Sequence, residues 1–107
     1  MDKKQAENYI KEYIKRLKKD VRPKNVILYG SFLKGNYQEG SDIDLIIVSD
    51  HFSRLDEDDR LEILYRKTVG LPLDFHLHGL TPKEYKNASP LTSLYQAKKT
   101  GVSLFTS

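Results

Sequence analysis

The chain has 107 residues, a formal net charge of +3, no cysteine, 38% hydrophobic and 31% charged residues. These values describe a hydrophilic globule with room for one core, and they exclude a disulfide framework and a thiolate metal site. The apolar runs are too short for a bilayer-spanning helix, and the start MDKKQAENYI lacks the pattern of a secretory signal, so no membrane partner and a cytoplasmic location are expected.

Ala6, Tyr9, Ile10, Tyr13, Ile14 and Leu17 recur at spacings of three and four among Lys, Glu and Arg, which predicts an amphipathic helix over residues 4–19, ended by Pro23. Residues 1–24 carry nine Lys/Arg against four Asp/Glu, whereas residues 50–60 lean acidic. A basic helix can meet nucleic acid or an acidic partner, but a solvated face explains this one more simply, so direct nucleic-acid binding is not expected. Val26-Ile27-Leu28-Tyr29 reads as a buried strand delivering the chain to Gly30-Ser31, and Phe32 to Tyr37 as a short helix.

Ile43 to Val48 is rich in β-branched residues and reads as a central strand with Asp42 at its start. Residues 55–69 open on Asp56-Glu57-Asp58-Asp59, favourable at a helix N-terminus, and continue with Leu61, Leu64, Tyr65, Thr68 and Val69 on one face until Gly70 and Pro72 close the helix. Residues 71–78 alternate as a strand that puts Asp74, His76 and His78 on one face. Thr81-Pro82-Lys83-Glu84 is a capping box, Ser89-Pro90 starts a further helix running to Gly101, and Val102 to Phe105 reads as an edge strand. No repeat, low-complexity tract or linker divides the sequence, so residues 1–107 are expected to form a single domain.

The chemistry concentrates in two short runs. Gly30 lets backbone approach a ligand without a Cβ in the way, and Ser31 can offer amide and hydroxyl to a phosphate; a Gly-Ser turn alone also serves as an ordinary strand-to-helix connection. Ten residues separate Ser31 from Asp42, and Asp42 and Asp44, at i and i+2 on a strand, point to one face about 6–7 Å apart at the backbone. Two ionised carboxylates that close repel unless a cation sits between them, which suggests a magnesium site. A capped turn would explain Asp42, but it leaves Asp44 as an unpaired charge inside an apolar strand. No GxxxxGK[ST] loop or GxGxxG fingerprint is present.

Gly30-Ser31, ten residues, then Asp42-x-Asp44 resembles the signature of the nucleotidyltransferases of the DNA polymerase β superfamily, and Ser-Asp-Ile-Asp-Leu with Leu-Thr-Pro-Lys-Glu-Tyr resembles its minimal nucleotidyltransferases. The resemblance implies an α+β fold, a small mixed sheet flanked by helices. It also implies a third carboxylate on a neighbouring strand, for which Asp74 is the matching position. Asp42, Asp44 and Asp74 would then be the catalytic acids and hold two Mg2+ ions, with Mn2+ as a substitute, while Gly30, Ser31, Lys34 and Ser41 would bind the nucleoside triphosphate.

Lys34 stands where the family often has arginine, keeping the charge but losing the bidentate fork; a solvated lysine is the other reading. His76 and His78 could lie near the metal or face solvent, and Tyr37 could stack on a base. The implied reaction is transfer of AMP from ATP to a hydroxyl, for which a tyrosine of a HEPN-domain ribonuclease toxin is the expected acceptor, making this chain an antitoxin. The alternatives are a non-catalytic nucleotide-binding module that neutralises its partner by contact, and transfer to a small molecule or a nucleic-acid end.

Overall fold

The computed structural model describes residues 2–33, 42–88 and 93–107. Helix α1 spans Lys3–Asp20, and a capping box starts it: the Asp2 carboxylate accepts from the Gln5 N–H at 2.8 Å while the Gln5 side chain accepts from the Asp2 N–H at 3.0 Å. Ala6, Ile10, Tyr13, Ile14 and Leu17 form its buried stripe, as the spacing predicts. The helix stops because Arg22 turns left-handed at φ 50° one residue before Pro23, which cannot continue a helix.

Strand β1 (Asn25–Tyr29) lies between β2 (Asp42–Val48) and β4 (Val102–Thr106), antiparallel to both, and β3 (Asp74–Leu80) runs parallel to β2, giving the order β3-β2-β1-β4. The sheet is therefore mixed, with β2 central and β4 at an edge, as the sequence suggests. Side chains alternate between its two faces. Val26, Leu28, Ile43, Leu45, Ile47, Phe75 and Leu77 join the stripe of α1, Phe52 and Leu64 in the larger core. Ile27, Ile46 and Val48 pack on Ala97 from the other face. Each fully buried Val, Leu, Ile or Phe contributes roughly 1.5–3 kcal/mol, so the larger cluster dominates the stability.

After β2 the chain makes a 3-10 turn at Asp50–Arg54, then helix α2 (Glu57–Arg66), capped by Asp56. The predicted single helix over 55–69 is thus shorter at both ends. Ser49, almost fully buried, fixes the turn: its hydroxyl donates to the Val21 carbonyl at 2.6 Å and accepts from the His51 N–H at 3.1 Å. Strand β3 starts at Asp74 rather than Leu71 and continues to Leu80, because its ladder with β2 runs from Asp42↔Asp74 to Val48↔Leu80.

Helix α3 (Pro82–Lys86) carries the predicted capping box, with Thr81 Oγ1 accepting from the Glu84 N–H and Glu84 accepting from the Thr81 N–H. Helix α4 (Ser93–Thr100) leads into β4, while the expected helix start at Ser89-Pro90 lies outside the described residues. Ser31–Leu33 form a turn, not the start of the short helix predicted for Phe32 to Tyr37, and the rest of that segment lies outside the described residues. Buried Phe32 anchors the turn in the core. Among the described residues no helix is long and apolar enough to cross a membrane.

Candidate active site

Alternation along β2 sends Asp42 and Asp44 to the face that carries Ile46 and Val48, away from Ile43, Leu45 and Ile47. The antiparallel register sets Tyr29 beside Asp44, and the parallel register sets His76 beside Asp44 and Asp74 beside Asp42. Tyr29, Asp44 and His76 thus occupy one rung across three strands, with Asp42 and Asp74 at the mouth of the sheet.

His76 Nδ1 stands 3.5 Å from Asp44 Oδ1 and 4.0 Å from Asp42 Oδ2. The Asp44 side chain is 19% exposed against 53% for Asp42 and 65% for His76, so Asp44 is the sheltered member of the group. Burial pushes the Asp44 carboxyl above the usual carboxylate range; His76 opposes this, and the like charge of Asp42 reinforces it. Burial, with help from Asp44, likewise pushes the Tyr29 phenol up to about 12. Burial lowers His78, aided by the neighbouring His76 and opposed by Asp44 and Glu57.

Gly30 follows Tyr29 and takes φ +85°, a left-handed conformation that costs a residue with a Cβ roughly 1–2 kcal/mol. A methyl group there would also collide with the Asp44 carboxylate, so the glycine lets backbone and acid share the space. Ser31 is exposed in the turn that follows. Lys34 and Ser41, and with them Tyr37, lie outside the described residues.

A cleft of about 490 Å3 opens over this rung, lined by Tyr29, Asp44, Tyr65, His76, Leu77 and His78. A second hollow of about 400 Å3 adjoins it, sharing His78 and walled by Arg60 and Glu84. Arg60 holds that wall together: its Nε donates to the Leu55 carbonyl at 2.9 Å, and Nη1 donates to the Gly79 carbonyl at 3.1 Å and to Glu84 Oε1 at 2.7 Å.

The donor set suits a hard divalent cation. A sheltered carboxylate that faces a cleft, with a second one beside it, is unfavourable by itself and is relieved by positive charge. Asp74 adds a third acid on the same face, exposed and in register with Asp42. Among the described residues, no three such side chains already converge as a metal cage.

Two neighbours of Asp44 have little prominence in the sequence. Tyr29 reads as a strand residue, although its place just before Gly30-Ser31 and opposite in phase to Leu28 puts it on the acid face. His76 shares a face with Asp74 by alternation alone, but its rung beside Asp44 follows only from the pairing of β3 with β2.

The nucleotidyltransferase domain family model matches residues 10–99. A protein of Methanocaldococcus jannaschii, provisionally named a protein adenylyltransferase, is 48% identical over 46 residues, which are 41% of this chain and 46% of that relative, so the match spans about half of the relative's length. A crystal structure provisionally assigned as a nucleotidyltransferase is 40% identical, with a TM-score of 0.55 over 74% of this chain and 85% of its own. A chain from a toxin–antitoxin crystal structure with AMP-PNP is 25% identical, with a TM-score of 0.66 over 94% of this chain and 73% of its own. The spaced acids on β2, the glycine turn packed against Asp44, the mixed sheet and a family match along most of the sequence agree: this chain belongs to the nucleotidyltransferase domain family.

Proposed function

We propose that this chain transfers AMP from ATP to a tyrosine hydroxyl of a partner protein, a HEPN-domain ribonuclease toxin, and acts in the cytoplasm as its antitoxin, with residues 1–107 serving as one nucleotidyltransferase domain. The observation that carries the reading is the packing of Gly30 against Asp44, with Asp42 beside it, which couples a phosphate-sized backbone turn to two metal-ligating acids. The naming of the Methanocaldococcus relative supports AMP transfer to protein, and the toxin–antitoxin neighbour with AMP-PNP supports both the nucleotide and the kind of partner.

In this reading Gly30 and Ser31, with Lys34 and Ser41, hold the β- and γ-phosphates. Asp42, Asp44 and Asp74 would hold two Mg2+ ions, for which Mn2+ could substitute. Bound there, such cations would supply positive charge against the triphosphate and the leaving pyrophosphate. The tyrosine oxygen attacks the α-phosphorus, the bond from that phosphorus to the bridging oxygen breaks, and pyrophosphate leaves with the electron pair. Asp74, exposed at the sheet's mouth, accepts the phenolic proton. The cleft over Tyr29, Asp44 and His76 gives the acceptor side chain its approach.

The test is incubation of the chain with ATP, Mg2+ and the product of the adjacent gene, followed by mass spectrometry of that product. A mass increase of one or more AMP groups on a tyrosine, lost with Asp42→Asn or Asp44→Asn, is the expected result. An unmodified but inhibited partner would overturn catalysis in favour of neutralisation by contact. Label from ATP appearing on a small molecule or a nucleic-acid end would overturn the protein acceptor.

A further inference from the structure

The two edges of the sheet are finished differently. On β3 the outer backbone groups are taken by α2: the Tyr65 hydroxyl donates to the Phe75 carbonyl and accepts from the Leu77 N–H, both at 3.2 Å, and Arg60 Nη1 donates to the Gly79 carbonyl at 3.1 Å. Alternate residues along the strand are thus occupied, so that edge offers little to a further strand.

The β4 edge has no such cover. Among the described residues its one strand neighbour is β1, and no side chain of another element hydrogen-bonds to its backbone. Residues 100–107 contain no Lys, Arg, Asp, Glu or Pro, the residues that blunt an edge. Val102 and Leu104 are 46% and 39% exposed, large apolar side chains left to water. Leu104 lies at a break in register: Val26 pairs with Phe105 and Ile27 with Ser103, so no β1 residue stands opposite it. Beside it a hollow of about 220 Å3 separates β4 from α1, lined by Ile10, Ile14, Leu28 and Phe32. Register sets Val102 beside Leu28 as well, so the exposed side chains and the hollow share the α1 side of the sheet.

We propose that β4 pairs antiparallel with β4 of a second copy, across a two-fold axis at Leu104, joining two four-stranded sheets into one. Self-pairing sets no like charges opposite each other, because the strand carries none. It places Leu104 against the same residue of the second copy, with the Val102 of each copy on the diagonal, so these side chains leave water together. The closed edges decide the occupant. Two copies joined at β4 leave only β3 edges outermost, and α2 covers these, so the assembly stops at two. Strands β1 and β4 stand between the acids of β2 and the junction, which leaves the cleft open in each copy.

The test is sedimentation of the whole chain from about 10 μM to about 1 mM, without nucleotide, so that its failure leaves the transfer reaction untouched. An edge-to-edge contact belongs to the small end of the interface range, and a reversible dimer with a dissociation constant of about 10–100 μM is expected. In a mixture of 13C-labelled and unlabelled chain, nuclear Overhauser contacts between copies should appear at Val102 and Leu104 and not on β3. Leu104→Lys should weaken the dimer at least about tenfold, whereas Val69→Lys, at the most exposed apolar side chain and on the β3 side of the molecule, should leave it unchanged. A monomer at about 1 mM would overturn self-pairing and leave the edge to a strand of another protein. Contacts at β3, growth beyond two copies or a dimer indifferent to Leu104→Lys would overturn it equally. Because the contact measurement reads the native chain, it does not depend on any variant folding.

Discussion

Gly30 and Asp44 occupy each other's space: the carboxylate of β2 fills the volume in which a Cβ on the preceding turn would sit. Backbone that can face a phosphate and an acid that can face a cation are thereby held together, and each depends on the other.

Replacing Asp44 by Asn keeps the shape and removes the charge. Nucleotidyl transfer should fall by more than about 100-fold, the upper range for groups that merely orient a metal ligand. Thermal stability should hold or rise, since the sheltered carboxyl is already disfavoured as an anion by burial and by Asp42. Steady-state transfer rates and a melting curve check both halves; a large loss of stability would show that Asp44 is structural.

Gly30→Ala should destabilise the chain by about 1–3 kcal/mol and abolish transfer, because left-handed strain and the collision with Asp44 combine. Gly70→Ala is the matched control: φ is +81° there, but nothing lies within 4 Å of the added methyl. It should cost about 1 kcal/mol and leave activity intact. Chemical denaturation of the two variants side by side separates strain from collision.

Tyr65 sits on the exposed side of α2, yet its hydroxyl donates to the Phe75 carbonyl and accepts from the Leu77 N–H, both at 3.2 Å. It thus occupies backbone groups of β3, the strand that carries Asp74 and His76. Tyr65→Phe should lower stability by roughly 0.5–1.5 kcal/mol and speed hydrogen exchange at the Leu77 amide. Exchange followed by nuclear magnetic resonance, with unchanged protection in β1, is the check.

Tyr13 is fully buried, donates its hydroxyl to the Leu64 carbonyl at 3.0 Å and stacks at 4.9 Å on Phe75. Burial raises its phenol far above the ordinary value, aided by Tyr65. Since the folded value lies above the unfolded one of about 10, stability is intact below pH 10 and falls above it, by about 1.4 kcal/mol per pH unit for one proton. Tyr13→Phe should remove one proton's worth of that alkaline slope. Urea midpoints from pH 8 to about pH 11 would reveal it.

Glu84 closes the α3 capping box and meets Arg60, and the Thr81 N–H is the chief cause that holds its carboxyl below the usual range. A lowered folded value gives stability above the unfolded pKa that is lost as pH falls through the folded one. Glu84→Gln keeps the acceptor and drops the charge, so it should cost no more than about 1 kcal/mol at neutral pH. The gap to wild type should close in acid, which melting curves at pH 7 and about pH 3 would show.

The periodicity of α1, the β-branched run of β2, the capping box of α3 and the Gly-Ser turn before two spaced acids are all legible in the sequence, because each rests on contacts or preferences within a few residues. Element ends were less so. The true start of β3 at Asp74 and its extension to Leu80 are set by the ladder with β2, and Tyr65, which helical spacing assigns to a core face, is drawn instead to the backbone of β3.

The sequence alone therefore determined the family, the pair Asp42 and Asp44, and the common face of Asp74, His76 and His78, since alternation with period two is a local property of a strand. Only the tertiary structure decided which of those three stands beside Asp44. That choice depends on the parallel register of two strands joined through α2, and a shift by one residue would send every side chain of β3 to the opposite face. Packing of Phe75 and Leu77 into the main core holds the register, and so places His76 against the acids and Asp74 at the mouth.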